Sequence, residues 1–110
     1  FAYAVVDVRV SCREDLDQVL AVLQRAGDAM RDDEAWRAEV IESFDVQGVE
    51  ALEGAFAVVR VRFKTMPMKQ GAVANELRRR IVTACAAEGI RPFGPWPGRT
   101  GPGTSGAAHV

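Results

Sequence analysis

Leu52-Glu53-Gly54-Ala55-Phe56-Ala57-Val58-Val59-Arg60-Val61-Arg62-Phe63 is the stretch whose reading decides the fold. Ala57, Val59, Val61 and Phe63 alternate with Phe56, Val58, Arg60 and Arg62, and this period of two predicts a strand with one core-facing side. Glu53-Gly54 just before it reads as a tight hairpin turn, because glycine at the second central place takes positive φ without steric cost. The run entering the turn is then a strand too: Phe44 and Val46 open it, Gly48 marks a bulge or bend, and Val49 to Leu52 carry it forward. A hairpin therefore occupies the middle of the chain.

Toward the N-terminus, Ala4, Val6, Val8 and Val10 alternate with Tyr3, Val5, Asp7 and Arg9, which predicts a first strand with one buried side. Ser11 with Glu14 and Asp15 with Gln18 both have capping-box spacing, so a helix is expected to begin near Asp15. Leu16, Val19, Leu20, Leu23, Ala26 and Met30 recur at three and four residues and carry it to about Met30. Arg31 to Glu39 is dominated by charge, with Trp36 as its anchor, and reads as a short helical turn or loop. Toward the C-terminus, Pro67 in the segment Lys64 to Gln70 ends the third strand. Val73, Leu77, Ile81, Ala84 and Cys85 mark a second amphipathic helix, closed by Gly89 in a left-handed cap with Ile90 packed behind it.

The resulting order is β-α-β-β-α, with a short last edge strand expected around Ile90 to Phe93. That is the split β-α-β, or ferredoxin-like, α+β plan: one antiparallel sheet with two helices on one face. Residues 1–93 are read as this domain, and the Gly- and Pro-rich residues 94–110 as a flexible tail. The other sheet face then carries Tyr3, Val5, Asp7, Arg9, Phe56, Val58, Arg60 and Arg62, half of them apolar. A face of this kind suggests a neighbouring domain or subunit.

With 110 residues, 48% hydrophobic and 26% charged, the chain has the composition of one globular domain. The formal charge of −1 provides no global field toward nucleic acid or an anionic membrane. Its distribution is uneven: Phe1 to Val59 holds thirteen acids and five arginines, while Arg60 to Val110 holds nine bases and two acids. These opposed halves either neutralise one another within the fold or favour head-to-tail contacts between subunits. No stretch approaches the roughly 20 apolar residues of a membrane span. The opening at Phe1, directly on a strand, reads as part of something longer.

Few residues suggest catalysis or cofactor binding. His109 stands in the tail with nothing to fix its ring. Asp32, Asp33 and Glu34 read as a solvated acidic face, lacking the spaced ligands and loop glycine of a calcium site. Arg78, Arg79 and Arg80 are consecutive on a helix and fan around it, so they form no flat nucleic-acid footprint and read as salt-bridge partners. Cys12 and Cys85 are read as reduced thiols, with a Cys12–Cys85 bridge as the less favoured alternative. Val46-Gln47-Gly48-Val49 resembles a glycine motif of acylphosphatases. In that family the motif lies after the first strand, so an acyl-phosphate hydrolase using Arg60 or Arg62 is kept only as an alternative. No metal and no cofactor is expected.

Three stretches together carry a more specific resemblance: Asp15-Leu16-Asp17-Gln18-Val19-Leu20, Val46-x-Gly48-Val49-x-Ala51-Leu52, and Val59-Arg60-Val61-Arg62-Phe63-Lys64-Thr65-x-Pro67-x-x-Gln70. With Glu76-Leu77-Arg78-Arg79-Arg80-Ile81 and Glu88-Gly89-Ile90, they resemble the cytoplasmic C-terminal domain of small-conductance mechanosensitive channels over about Tyr3 to Phe93. The resemblance implies membrane helices and a middle β-domain before Phe1. It also implies a homoheptamer forming a cage on the cytoplasmic side of the inner membrane, and release of ions and small solutes on hypo-osmotic shock. It assigns no catalysis and no nucleic-acid partner. Arg60, Arg62, Lys64, Lys69 and Gln70, around the loop into the second helix, are the expected subunit-interface residues. The chain departs from the family pattern at Cys12, at Gly71 and after Phe93. A free-standing oligomerisation or small-ligand sensing module of the same fold is the remaining alternative.

Overall fold

The computed structural model describes residues 1–41 and 44–93; the expected tail and His109 lie outside them. The elements are β1 (Ala2–Ser11), α1 (Leu16–Asp32), α2 (Glu34–Arg37), β2 (Asp45–Glu53), β3 (Phe56–Thr65), α3 (Gln70–Ala87) and β4 (Pro92–Phe93). The sheet is antiparallel in the order β2-β3-β1-β4, the ferredoxin-like arrangement, with α1 and α3 packed on one face. β1 and β3 pair residue for residue from Ala2↔Thr65 to Ser11↔Phe56. Their inward rows, Ala4, Val6, Val8 and Val10 with Ala57, Val59, Val61 and Phe63, are buried. Val19, Val22, Leu23 and Met30 of α1 and Val73, Leu77, Ile81 and Cys85 of α3 complete the core.

The local chemistry explains where each element starts and stops. Asp15 caps α1, its carboxylate accepting from the amides of Asp17 and Gln18 at 3.1 and 3.3 Å. Ser11 does not cap the helix; it ends β1, and its hydroxyl accepts from the Arg13 amide at 3.0 Å. Asp33 ends α1 and caps α2 through the Ala35 amide. α3 closes with Gly89 at φ 75°, where the Ile90 amide bonds the Cys85 carbonyl at 2.8 Å and the Gly89 amide bonds that of Ala86 at 3.2 Å. This is a Schellman cap, and buried Ile90 seals it.

Two readings shift. The hairpin turn is Gly54-Ala55 rather than Glu53-Gly54, since Glu53 already pairs with Phe56. Only Gly54 of the two has positive φ, at 64°, the pattern of a II′ turn, whose twist suits the flanking strands. Val58, on the side away from the helices, is buried rather than exposed. It pairs with Arg9 on one side and Ala51 on the other, and the Arg9 to Glu53 ion pair closes the surface beside it. The expected bulge near Gly48 is present: register shifts fall between Val46 and Gly48 and between Val49 and Ala51, with Gly48 at φ 96°.

One feature of the core was not anticipated. The backbone of Gly27, in α1, lies directly under the Phe44 ring, where a Cβ would come within 2.2 Å of the ring carbons. Phe44 packs against Phe63 with the ring centroids 4.9 Å apart and the planes tilted by 56°, so glycine lets helix and sheet approach at this point.

Candidate functional site

The face of the sheet opposite the helices carries the odd residues of β1 and the even residues of β3, so its chemistry follows from their register. Arg60 stands opposite Asp7 and donates to both its carboxylate oxygens, at 2.8 and 3.0 Å, with Glu50 of β2 a further 3.6 Å contact. Hydrogen bonding from this guanidinium holds the Asp7 carboxyl below its ordinary range. Arg62 reaches Asp45 at 3.2 Å and stacks over the Tyr3 ring at 4.2 Å. Arg9 pairs with Glu53 at 3.1 Å, and the Lys64 ammonium stands 3.9 Å above the Phe1 ring. An ion-paired ladder thus crosses three strands.

The apolar remainder of this face collects at one end. Phe1 is 69% exposed, and Tyr3 and Val5 follow it on β1. The segment before β2 adds to this end, because the Ile41 amide donates to the Lys64 carbonyl at 2.8 Å and Val40 bridges to Thr65. Exposed Ile41 and Met66 therefore lie around Arg62 and Lys64. Sequence alone offered no signal for this, since Ile41 and Lys64 are distant in the chain and only an irregular bridge joins them.

The five expected interface residues occupy two places. Arg60, Arg62 and Lys64 share the uncovered face of β3. Lys69 and Gln70 stand at the start of α3, where Lys69 is the N-cap residue and its ammonium lies 3.7 Å from Glu39. Pairs from Asp7, Asp45, Glu50 and Glu39 to Arg60, Arg62 and Lys69 link the acidic half of the sequence to the basic half, so much of the opposed charge is neutralised within the domain.

Asp33 is not the freely solvated acid expected from its neighbours. Besides capping α2, it accepts from Arg80 at 2.5 Å, and Arg80 also reaches Glu76 at 2.7 Å. The Ala35 amide first, then Arg80, hold the Asp33 carboxyl low; Arg79 and Arg80 do the same for Glu76 against the opposing effect of burial. The arginines at 79 and 80 are thus salt-bridge partners, as their fan around the helix suggested. Cys85 is buried, its thiol pushed up to about 11, and Cys12 is exposed; both are free. Val46 to Val49 form the bulged part of an edge strand, not a loop after β1. Among the described residues no group of three or more His, Cys, Asp or Glu could hold a metal ion, and no helix is long and apolar enough to cross a membrane.

No curated protein matches the chain. A family model described as "Mechanosensitive ion channel MscS, C-terminal" matches residues 4–91, from within β1 to the residue before β4. With the fold and the channel-type sequence motifs in agreement over more than three quarters of its length, the chain belongs to the family of MscS mechanosensitive ion channel C-terminal domains.

Proposed function

We propose that this chain is the assembly and vestibule domain of a tension-gated channel, lying on the cytoplasmic side of the inner membrane beneath membrane helices and a middle β-domain that precede Phe1. Copies of it, in a homoheptamer, would stand side by side as a cage, and ions and small solutes released on hypo-osmotic shock would cross the openings between them. The observation that carries this reading is the apolar end of the uncovered sheet face, in a domain of a channel family. Phe1, Tyr3, Val5, Ile41 and Met66 gain from leaving water, whereas the rest of the face is already satisfied by its own ion pairs.

Lys64 stands on the uncovered face beside this apolar end, and Lys69 and Gln70 begin α3 a few residues after Met66; a neighbour's carboxylates would meet these groups. Arg62 contributes through its stack on Tyr3, while Arg60 is engaged by Asp7 and Glu50. Each exposed pair contributes only about 0.2 to 1 kcal/mol, so charge would set register while apolar contact supplies strength.

The test uses the intact gene in cells stripped of their own mechanosensitive channels. Survival of osmotic downshock is expected with the native gene, and reduced survival with less assembled channel when Tyr3→Asp and Val5→Asp are introduced. Both positions are exposed, so circular dichroism of the variant chain should show an intact fold. Full assembly and full rescue by the double variant would remove the apolar end from the mechanism.

A further inference from the structure

The loop between β3 and α3 has the pattern of a type II turn. The Lys69 amide donates to the Met66 carbonyl at 3.2 Å, which puts Pro67 at the second place of the turn and Met68 at the third. That third place needs positive φ and is ordinarily filled by glycine. Met68 takes it at φ 70°, the one described non-glycine residue with positive φ. Such strain persists where the surrounding structure enforces it, and it gathers at functional positions. Core packing does not explain the methionine, because Met68 is 88% exposed. The turn is also held still. Pro67 fixes its own φ, the Met66 carbonyl accepts a second bond from the buried Thr65 hydroxyl at 2.9 Å, and the Met66 amide donates to the Glu39 carbonyl at 3.0 Å. Met66, Pro67 and Met68 thus form a rigid, exposed apolar knob, with half-exposed Lys69 beside it.

A groove of matching character lies toward the opposite end of the sheet. Val49 and Leu52 of β2 pair with the inward residues Val59 and Ala57, so they face the helix layer, yet they remain 43% and 71% exposed. The flank of α1 that meets β2 is marked by Gly27, which lies under the Phe44 ring one residue before β2. Leu16 and Leu20 are eleven and seven residues before Gly27, so each falls within about 20° of that flank. Both are half-buried. α1 starts beside the end of β1 that pairs with Phe56, which is also the Leu52 end of β2, so Leu16 and Leu20 run level with Leu52 and Val49. An apolar groove therefore lies between α1 and β2, open at Leu52. Its rim is acidic: Asp17 stands about 60° beyond Leu20 on the exposed side of α1, and Glu53 follows Leu52. β2 is the edge of the sheet farthest from β4.

We infer that the Met66-Pro67-Met68 turn of one copy of this chain seats in the groove formed by Leu16, Leu20, Val49 and Leu52 of the next, with Lys69 against the acidic rim. The inference rests on the assembly reading above and names a contact that holds the assembly together. Knob and groove are both apolar and exposed, their rims carry opposite charge, and they lie at different places on one chain, which selects a second copy as the occupant. Two different surfaces meeting head to tail close a ring where the rotation permits. Methionine suits the task because its unbranched thioether adapts to an irregular groove, and a turn that is already rigid loses little freedom on docking.

The test is oxidative cross-linking of the protein encoded by the intact gene, carrying Met68→Cys and Leu52→Cys, with Cys12→Ser removing the exposed cysteine of this chain. Within one chain the two positions are beyond disulfide reach: Leu52 is level with Ala57, about 26 Å along β3 from Thr65, which Met68 follows by three residues. Both are exposed, so neither change reaches the core. A ladder of dimers, trimers and larger species is expected from the double variant only. Met68→Gly relieves the strained turn, so it should raise the urea midpoint of the chain while reducing the assembled channel recovered from membranes. A Met68→Gly protein that assembles in full overturns the inference. So does a double variant that stays monomeric on oxidation, or equal dimerisation by either single-cysteine variant. Downshock rescue by the native gene alongside any of these results would leave the channel reading standing and only this contact refuted, whereas failure of the native gene to rescue would refute the channel reading itself.

Discussion

Replacing Gly27 with alanine sets two effects of opposite sign against each other. In an exposed helix interior the change would stabilise by about 1 kcal/mol, because alanine has much the better helix propensity. Here the new Cβ would lie 2.2 Å from two carbons of the Phe44 ring and 2.5 Å from a third. Carbon atoms make favourable contact at about 3.5 to 4.0 Å, so the ring must recede by more than 1 Å. It has little room to do so, since it is 5% exposed and packs against fully buried Phe63. Overpacking of this kind costs about 1 to 3 kcal/mol, and eviction of the ring about 3 to 5. A clash of this depth falls in the upper part of that range and exceeds the propensity gain, so Gly27→Ala should destabilise by up to about 2 kcal/mol. Urea unfolding followed by far-ultraviolet circular dichroism measures this directly. Phe44→Ala alone should cost about 3 to 5 kcal/mol, and in that background Gly27→Ala should become stabilising. A stabilising Gly27→Ala in the native background, or the same change in both backgrounds, would refute the close approach of α1 to Phe44.

Gly89→Ala should destabilise by about 1 to 2 kcal/mol because φ of 75° is strained for alanine; Gly71→Ala, with nothing within 4 Å of its Cβ, should be neutral or stabilising by up to about 1 kcal/mol in the same unfolding assay. Asp7 and Glu76 have folded carboxyls held low by Arg60 and Arg79, so their contribution is present above the unfolded values of 3.8 and 4.5 and is lost as pH falls below them. Urea midpoints measured on the acid side of pH 5 should therefore decline, and Glu76→Gln should flatten part of that slope. With a thiol reagent at pH 8, Cys12 should react at once and Cys85 only as fast as the domain opens, because burial raises its thiol to about 11.

How far the sequence reads ahead of the structure depends on how local each determinant is. The alternation in β1 and β3, the stripe of α1 and the Gly89 cap are set by neighbours within a few residues, and each is found where expected. The Gly54 turn moved by one residue because hairpin register depends on how the whole ladder closes, including the bulges of β2. Val58 shows the same limit: alternation assigns it to the uncovered face, and only the charged groups of adjacent strands determine that it is closed off there.

The sequence by itself determined the β-α-β-β-α order, the two amphipathic helices and, through the spaced motifs around Lys64-Thr65-x-Pro67-x-x-Gln70, the family. Tertiary structure alone decided what the candidate site is. It paired Arg60 and Arg62 with Asp7, Glu50 and Asp45, and brought Ile41 against Lys64. It also placed Phe44 on Gly27. Periodicity and caps are encoded within a turn or a strand, whereas these contacts join residues far apart in the chain and follow from register and strand order.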